Sequence, residues 1–190
     1  MENVRRKFSA EEEELVAKIK ALEMEDVIDS VHIVGSMAKN MGLVIKSDLD
    51  LWILVNTPDV TEEDVSVKLQ MMDLNVEILD RKNRRLMQVR AREVDDPVDV
   101  TIISNTVLSA LDPRRAVVAG GLLLSMNINY AIANMSDKKK KMTQDIVVAI
   151  KLCAYLASVN IKGFTLEYVA AVAVKSLPEG VSNQKVYQKI

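Results

Sequence analysis

Cysteine and histidine are nearly absent from this sequence, which holds one of each in 190 residues, Cys153 and His32. A single cysteine excludes an internal disulfide and fits a reducing compartment. A single histidine excludes His-cluster metal sites, and a Ser-His triad would have only Asp or Glu beside His32. Charge excess is missing too: 25 basic residues face 27 acidic ones, for a formal charge of −2. That balance argues against gripping nucleic acid by charge alone, because neutralising phosphates takes a Lys/Arg surplus. Apolar runs long enough to span a membrane are lacking, and Met1–Glu14 is charged rather than signal-like. The expectation is a soluble, cytoplasmic protein. What is present is core material, 49% hydrophobic against 27% charged residues. This suits one large domain or two small ones.

Element signals divide the chain. Ser9 and Glu12 have capping-box spacing, and Leu15, Val16, Ile19 and Leu22 recur at helical intervals, predicting a helix from Ser9 to about Glu25. Short apolar segments predict strands at Val31–Val34, Asp48–Val55, Val76–Leu79, Leu86–Arg92 and Val98–Ile103. Thr61 and Asp64 cap a helix reaching about Met72. From Asp112-Pro113 onward the pattern is helical, with helices expected over Arg114–Met126, Thr143–Ser158 and Thr165–Ser176. The reading is an α+β protein, with residues 1–110 a domain built on a short mixed sheet and 111–190 a small helical subdomain. Positive charge is unfavourable at a helix entrance, so Lys138–Lys141 is placed in the loop before Thr143, as a solvated run or as a phosphate or RNA contact.

The chemistry concentrates in Gly35-Ser36, eleven intervening residues, and Asp48-Leu49-Asp50-Leu51. Alternation on the strand puts Asp48, Asp50 and Trp52 on one face, and carboxylates two residues apart lie roughly 6–7 Å apart at Cα. Such a pair suits hard divalent cations, Mg²⁺ or Mn²⁺, and two such ions together serve in-line phosphoryl displacement. Gly35-Ser36, ending a strand, offers backbone N–H groups to a phosphate. Asp99 is a lone acid among Val98, Val100, Ile102 and Ile103, where an unpaired charge would be costly. Lys151 is a lone cation between the apolar runs Ile146–Ile150 and Leu152–Ala157. It either snorkels to water or meets a phosphate.

The Gly-Ser and Asp-apolar-Asp spacing resembles the signature of the nucleotidyltransferase superfamily, which includes DNA polymerase beta, poly(A) polymerases and CCA-adding enzymes. The resemblance implies a polymerase beta-like palm and transfer of a nucleoside monophosphate from a triphosphate, ATP first, to an acceptor hydroxyl. It implies two Mg²⁺ or Mn²⁺ ions held by Asp48, Asp50 and a third carboxylate. Asp99 is the choice for the third over Glu77, Asp80, Asp95 and Asp96, because two strands precede it as in the family. Gly35 and Ser36 would hold phosphates. Ala38-Lys39, the Asp145–Leu156 region and Lys162-Gly163-Phe164-Thr165 look like archaeal-type CCA-adding enzymes, poly(A) polymerases and oligoadenylate synthetases. By that likeness Lys39 and Lys151 belong to the nucleotide site.

The likeness covers roughly residues 31–175. Where the family has Ser-Gly-Tyr after Gly-Phe, this chain has Thr165-Leu166-Glu167, with Tyr168 one position late. The archaeal-type enzymes carry further tRNA-holding domains, so a minimal core is expected, with an RNA 3′ end as first-choice acceptor. A second copy or an RNA-binding subunit would then help hold that acceptor. The alternatives are a nucleotide, small-molecule or protein acceptor, or a non-catalytic binding or regulatory protein on the same fold. Among single residues, His32 reads as structural, Cys153 as a buried thiol, and Trp52 as either a base-stacking ring or a cleft wall.

Overall fold

The computed structural model describes residues 2–24, 26–45, 47–57, 59–81, 84–91, 97–104 and 128–178. Its compact units are two: one comprises Phe8–Val34 and Asp48–Leu122, the other Met1–Lys7, Gly35–Ser47 and Leu123–Ile190. The division is interleaved in the chain, unlike the sequential split expected from the pattern. The expected boundary at 110/111 and the helix expected over Arg114–Met126 lie outside the described residues.

In the sheet unit, α1 (Ala10–Lys20) begins at the expected capping box. Ser9 Oγ accepts the Glu12 N–H, and the Glu12 carboxylate accepts the Ser9 N–H. The helix and the 3₁₀ turn that follows it bury Leu15, Ile19 and Leu22. The five strands are β1 (Ile28–Val34), β2 (Asp50–Val55), β3 (Asn75–Arg81), β4 (Arg84–Arg90) and β5 (Val98–Ser104). They form one mixed sheet in the order β1-β2-β5-β4-β3. β2 and β5 are parallel and every other neighbouring pair is antiparallel. A parallel pair cannot be joined by a tight turn. The chain between β2 and β5 accordingly includes a helix, Glu62–Met71, and the β3–β4 ribbon.

Alternation decides the faces of β2. Leu49, Leu51, Ile53 and Val55 are at most 1% exposed, while Asp50, Trp52 and Leu54 are half-buried on the other face. Each of those buried aliphatic side chains contributes on the order of 1.5–3 kcal/mol. The strand starts at Asp50 rather than at Asp48, a correction to the expected span. β1 ends at Val34, the register partner of Asp50, so no strand lies opposite Asp48 on that side. The ladder with β5 still reaches one residue further, through the Asp99 N–H donating to the Leu49 carbonyl at 3.0 Å.

The helical unit contains α2 (Gly35–Ala38), a single turn. The helix Glu62–Met71 of the sheet unit is α3, with Thr61 and Asp64 forming its capping box. Residues 128–133 form α4, followed by α5 (Asp137–Leu156) and α6 (Gly163–Lys175). Their core gathers Met41, Ile128, Ile132, Ile146, Val147 and Ala170 with neighbouring buried residues. Two arginines bind the 35–47 segment to this unit. Arg5 donates to the Asn40 carbonyl at 2.8 Å and pairs with Asp145, and Arg6 donates to the Ser47 carbonyl at 2.6 Å.

Two expectations are corrected here. Lys138–Lys141 lies within the first turns of α5, not in a loop. Asp137 offsets the charge at the helix entrance, and Lys139 donates to the Leu177 and Lys175 carbonyls at the end of α6, where the dipole favours a cation. Cys153 is an exposed thiol, not a buried one. By helical angle Cys153 continues the stripe of Met142, Ile146 and Ile150, but it lies beyond the packed part of α5. Among the described residues no helix is long and apolar enough to cross a membrane.

Candidate functional site

Register across the sheet places the acidic residues. Val34, Asp50, Asp99, Gln88 and Glu77 form one row, strand by strand. Residues paired in register share a face of the sheet, and adjacent strands lie about 4.8 Å apart. Asp50 and Asp99 are therefore immediate neighbours, whereas Glu77 is separated from Asp99 by the whole of β4. Asp80 pairs with Arg85, further along the ribbon. Asp95 and Asp96 lie outside the described residues. Asp99 is half-buried, and its Oδ1 accepts from Gln88 Nε2 at 3.0 Å. Gln88 was not anticipated from sequence; only the cross-strand register identifies it.

Asp48 is exposed, on the extended stretch just before β2. The structure thus brings two of the three expected carboxylates side by side and does not gather all three. Among the described residues, no three His, Cys, Asp or Glu side chains converge as a metal-ligand set. The donor chemistry of the Asp50–Asp99 pair, hard carboxylate oxygens on adjacent strands, fits Mg²⁺ or Mn²⁺. A cation held between adjacent carboxylates offsets their mutual repulsion. A cleft of about 510 Å³ in the same unit takes in Glu77 and Gln88 from this row, together with Gln70, Asp73, Asn75 and Arg90. His32 is exposed on β1, its Nε2 2.9 Å from Ser30 Oγ, and Trp52 is its register partner.

The remaining candidates belong to the helical unit. Gly35 follows Val34 in the chain and has φ 68°, a conformation open to glycine and strained for other residues. Ser36 opens the turn, whose end is closed by the Met41 N–H donating to the Ser36 carbonyl at 2.9 Å. Gly42 is closely packed: a Cβ there would come within 2.5 Å of Met37 Sδ, so that side chain would have to shift.

Lys39 and Lys151 meet at a residue that sequence reasoning treated only as a departure from the family pattern. Glu167 Oε2 lies 3.1 Å from Lys39 Nζ, and Glu167 Oε1 lies 3.0 Å from Lys151 Nζ. Lys39 and Glu167 side chains are each 4% exposed and that of Lys151 is 16% exposed. Lys39 was expected at the nucleotide, but its ammonium is buried against Glu167. Lys151 also donates to the Met41 carbonyl at 3.2 Å, and its head rests 3.6 Å from the Cβ position at Gly163. The Lys39 carbonyl accepts from Gln144 Nε2 at 3.1 Å. A lone acid in an apolar helix was the available signal for Glu167, the same signal that marked Asp99. Tyr168 is half-exposed and Phe164 likewise.

No protein-family model matches the sequence, and no curated protein does. Solved structures do match. The chain is similar to Escherichia coli MS115-1 CdnC in its complex with HORMA-deltaN, at 14% identity and TM-score 0.62, over 99% of this chain and 66% of that one. It is similar to the polymerase core of TRAMP, an RNA surveillance complex, at 13% identity and TM-score 0.55, over 95% and 56%. It is also similar to Cid1 poly(U) polymerase bound to MgATP, at 15% identity and TM-score 0.53, over 84% and 47%. The chain shares the α+β fold of these structures, here a five-stranded mixed sheet with helices. It spans about half to two thirds of the length of these structures.

Proposed function

We propose that this chain is the catalytic core of a metal-dependent nucleotidyltransferase that moves a nucleoside monophosphate, first choice AMP, from a triphosphate to an acceptor hydroxyl and releases pyrophosphate. The observation that carries the reading is the register pairing of Asp50 with Asp99 on adjacent parallel strands. Asp50 and Asp99, joined by Asp48 from the exposed stretch before β2, would hold Mg²⁺ or Mn²⁺, which when bound lowers the pKa of an attacking hydroxyl and offsets charge at the α-phosphate. Gln88 orients Asp99 through its hydrogen bond. The N–H groups of Gly35 and Ser36, in a first helical turn, have no acceptor within their own helix and suit the β- and γ-phosphates. Lys151 supplies positive charge to them, and Lys39 acts through Glu167 rather than on the nucleotide.

An RNA 3′ end is the preferred acceptor, with a second copy or an RNA-binding subunit helping to hold it. The fold shared with the TRAMP polymerase core and with Cid1 poly(U) polymerase supports this. A second reading, transfer to a small acceptor such as another nucleotide, draws support from the charge balance of −2. Lys139 is also already committed to the end of α6. A small acceptor needs fewer phosphate contacts than an RNA strand.

The test is incubation with each labelled nucleoside triphosphate, Mg²⁺ or Mn²⁺, and tRNA, other RNA or no acceptor. Metal-dependent pyrophosphate release that disappears in Asp50→Ala is expected, with label passing to RNA. Label in a nucleotide-sized product would favour the second reading, and undiminished release by Asp50→Ala would refute both.

A further inference from the structure

Glu167 takes a position that neither the sheet chemistry nor the phosphate-binding turn explains. It is a carboxylate on the second turn of α6, 4% exposed, with one oxygen on each of two lysines. Those lysines come from distant parts of the chain. Lys39 ends the turn that starts at Gly35-Ser36, and Lys151 lies in α5. Burying an ammonium group without a counter-charge is costly, and Glu167 supplies counter-charge to both lysines. Lys151 also keeps something in reserve. Two of its three ammonium protons have acceptors, Glu167 Oε1 and the Met41 carbonyl, and among the described residues the third has none. The Lys151 side chain keeps 16% exposure, against 4% for each of Lys39 and Glu167.

We infer that Glu167 is a positioning residue for the nucleotide's phosphates. It clamps Lys39 and Lys151 together, aims the spare proton of Lys151 outward, and stands in as their counter-anion until a polyphosphate arrives. The inference rests on the nucleotidyl-transfer reading for its ligand but not for its test. Glutamate has the reach to bridge both lysines; aspartate, one methylene shorter, keeps the charge but loses one of the two contacts. A polyphosphate near Lys151 shares the counter-ion role of Glu167, so anion binding and the clamp are linked through Lys151.

The experiment is thermal melting of the full chain with and without inorganic tripolyphosphate in metal-free buffer, which needs no catalysis. Wild type is expected to gain a few degrees. Lys151→Gln should fold, since Glu167 still neutralises Lys39, and should lose that gain. Glu167→Gln should melt lower without anion and recover more on adding tripolyphosphate than wild type gains, because the anion replaces the missing charge. A wild type indifferent to tripolyphosphate, or a Lys151→Gln that responds like wild type, would overturn the inference. So would a Glu167→Gln whose deficit is the same with and without the anion, since that marks a salt bridge with only a structural role. Should Glu167→Gln fail to fold, Glu167→Asp decides. A weakened tripolyphosphate response and, where transfer is measurable, a KM raised several-fold at little-changed kcat support the clamp, and wild-type values for both overturn it. A chain that transfers no nucleotide but shows the Lys151-dependent gain refutes the catalytic reading and leaves the clamp standing.

Discussion

The candidate charged clusters of the two units are held in opposite ways. The sheet unit displays its carboxylates: Asp48 is exposed, and Asp50 and Asp99 sit half-buried in adjacent strands. In the helical unit, Lys39 and Glu167 are as removed from water as the apolar core. Carboxylates that solvent still reaches cost less in desolvation than buried ones. Hidden opposite charges must satisfy one another, so they set geometry at a cost in desolvation. The contrast separates groups arranged for chemistry from groups arranged for placement, and substitutions should affect one property or the other.

The sharpest break comes from Glu167→Ala. It leaves two lysines without their shared counter-charge and is expected to cost about 3–5 kcal/mol of stability, read as a lowered denaturation midpoint at unchanged slope. On the sheet the order reverses. Asp99→Asn should lower pyrophosphate release by roughly 10²–10³-fold while the denaturation midpoint moves little, and Glu77→Gln should retain most of the activity. Equal losses from both would mean that register distance from Asp50 does not define the site.

The smallest effect tests charge that is neither hidden nor paired with a like charge. The Thr61 N–H and then its hydroxyl hold the Asp64 carboxyl below its ordinary value. A depressed folded pKa gives stability that is present above the unfolded pKa and is lost as pH falls through the folded one. Thr61→Ala is expected to cost about 1 kcal/mol near neutral pH. The difference from wild type should narrow as Asp64 protonates, which melting curves between pH 7 and the acid limb would show.

Much of the sheet was legible because alternation is a strong signal. Leu49, Leu51 and Ile53 mark the buried face of β2, and both capping boxes announce their helices. The pairing of Asp50 with Asp99 was an expectation from family likeness, since nothing local in 190 residues says which strands become neighbours. Gln88 was invisible for the same reason. The start of α5 was misread because four consecutive lysines at a helix entrance are unfavourable in isolation. The Leu177 carbonyl, which receives Lys139, lies 38 positions away. Glu167 was noticed only as a missing tyrosine, although one acid in the apolar run Phe164–Val174 carries the same message as one acid in β5. Cys153 was misplaced because an apolar run does not reveal which part of a helix has a partner.

The reach of Lys139 has a consequence for how the helical hairpin opens. α5 and α6 are joined at one end by residues 157–162 and tied at the other by the Lys139 ammonium on the last carbonyls of α6. A hairpin held only at its loop frays from its open end, one turn at a time. Fastened at both ends, it closes a ring of chain, and release of either helix must first break the ammonium contact. Amides near Met142 and near Val174 should therefore lose hydrogen-exchange protection together, as a single cooperative opening.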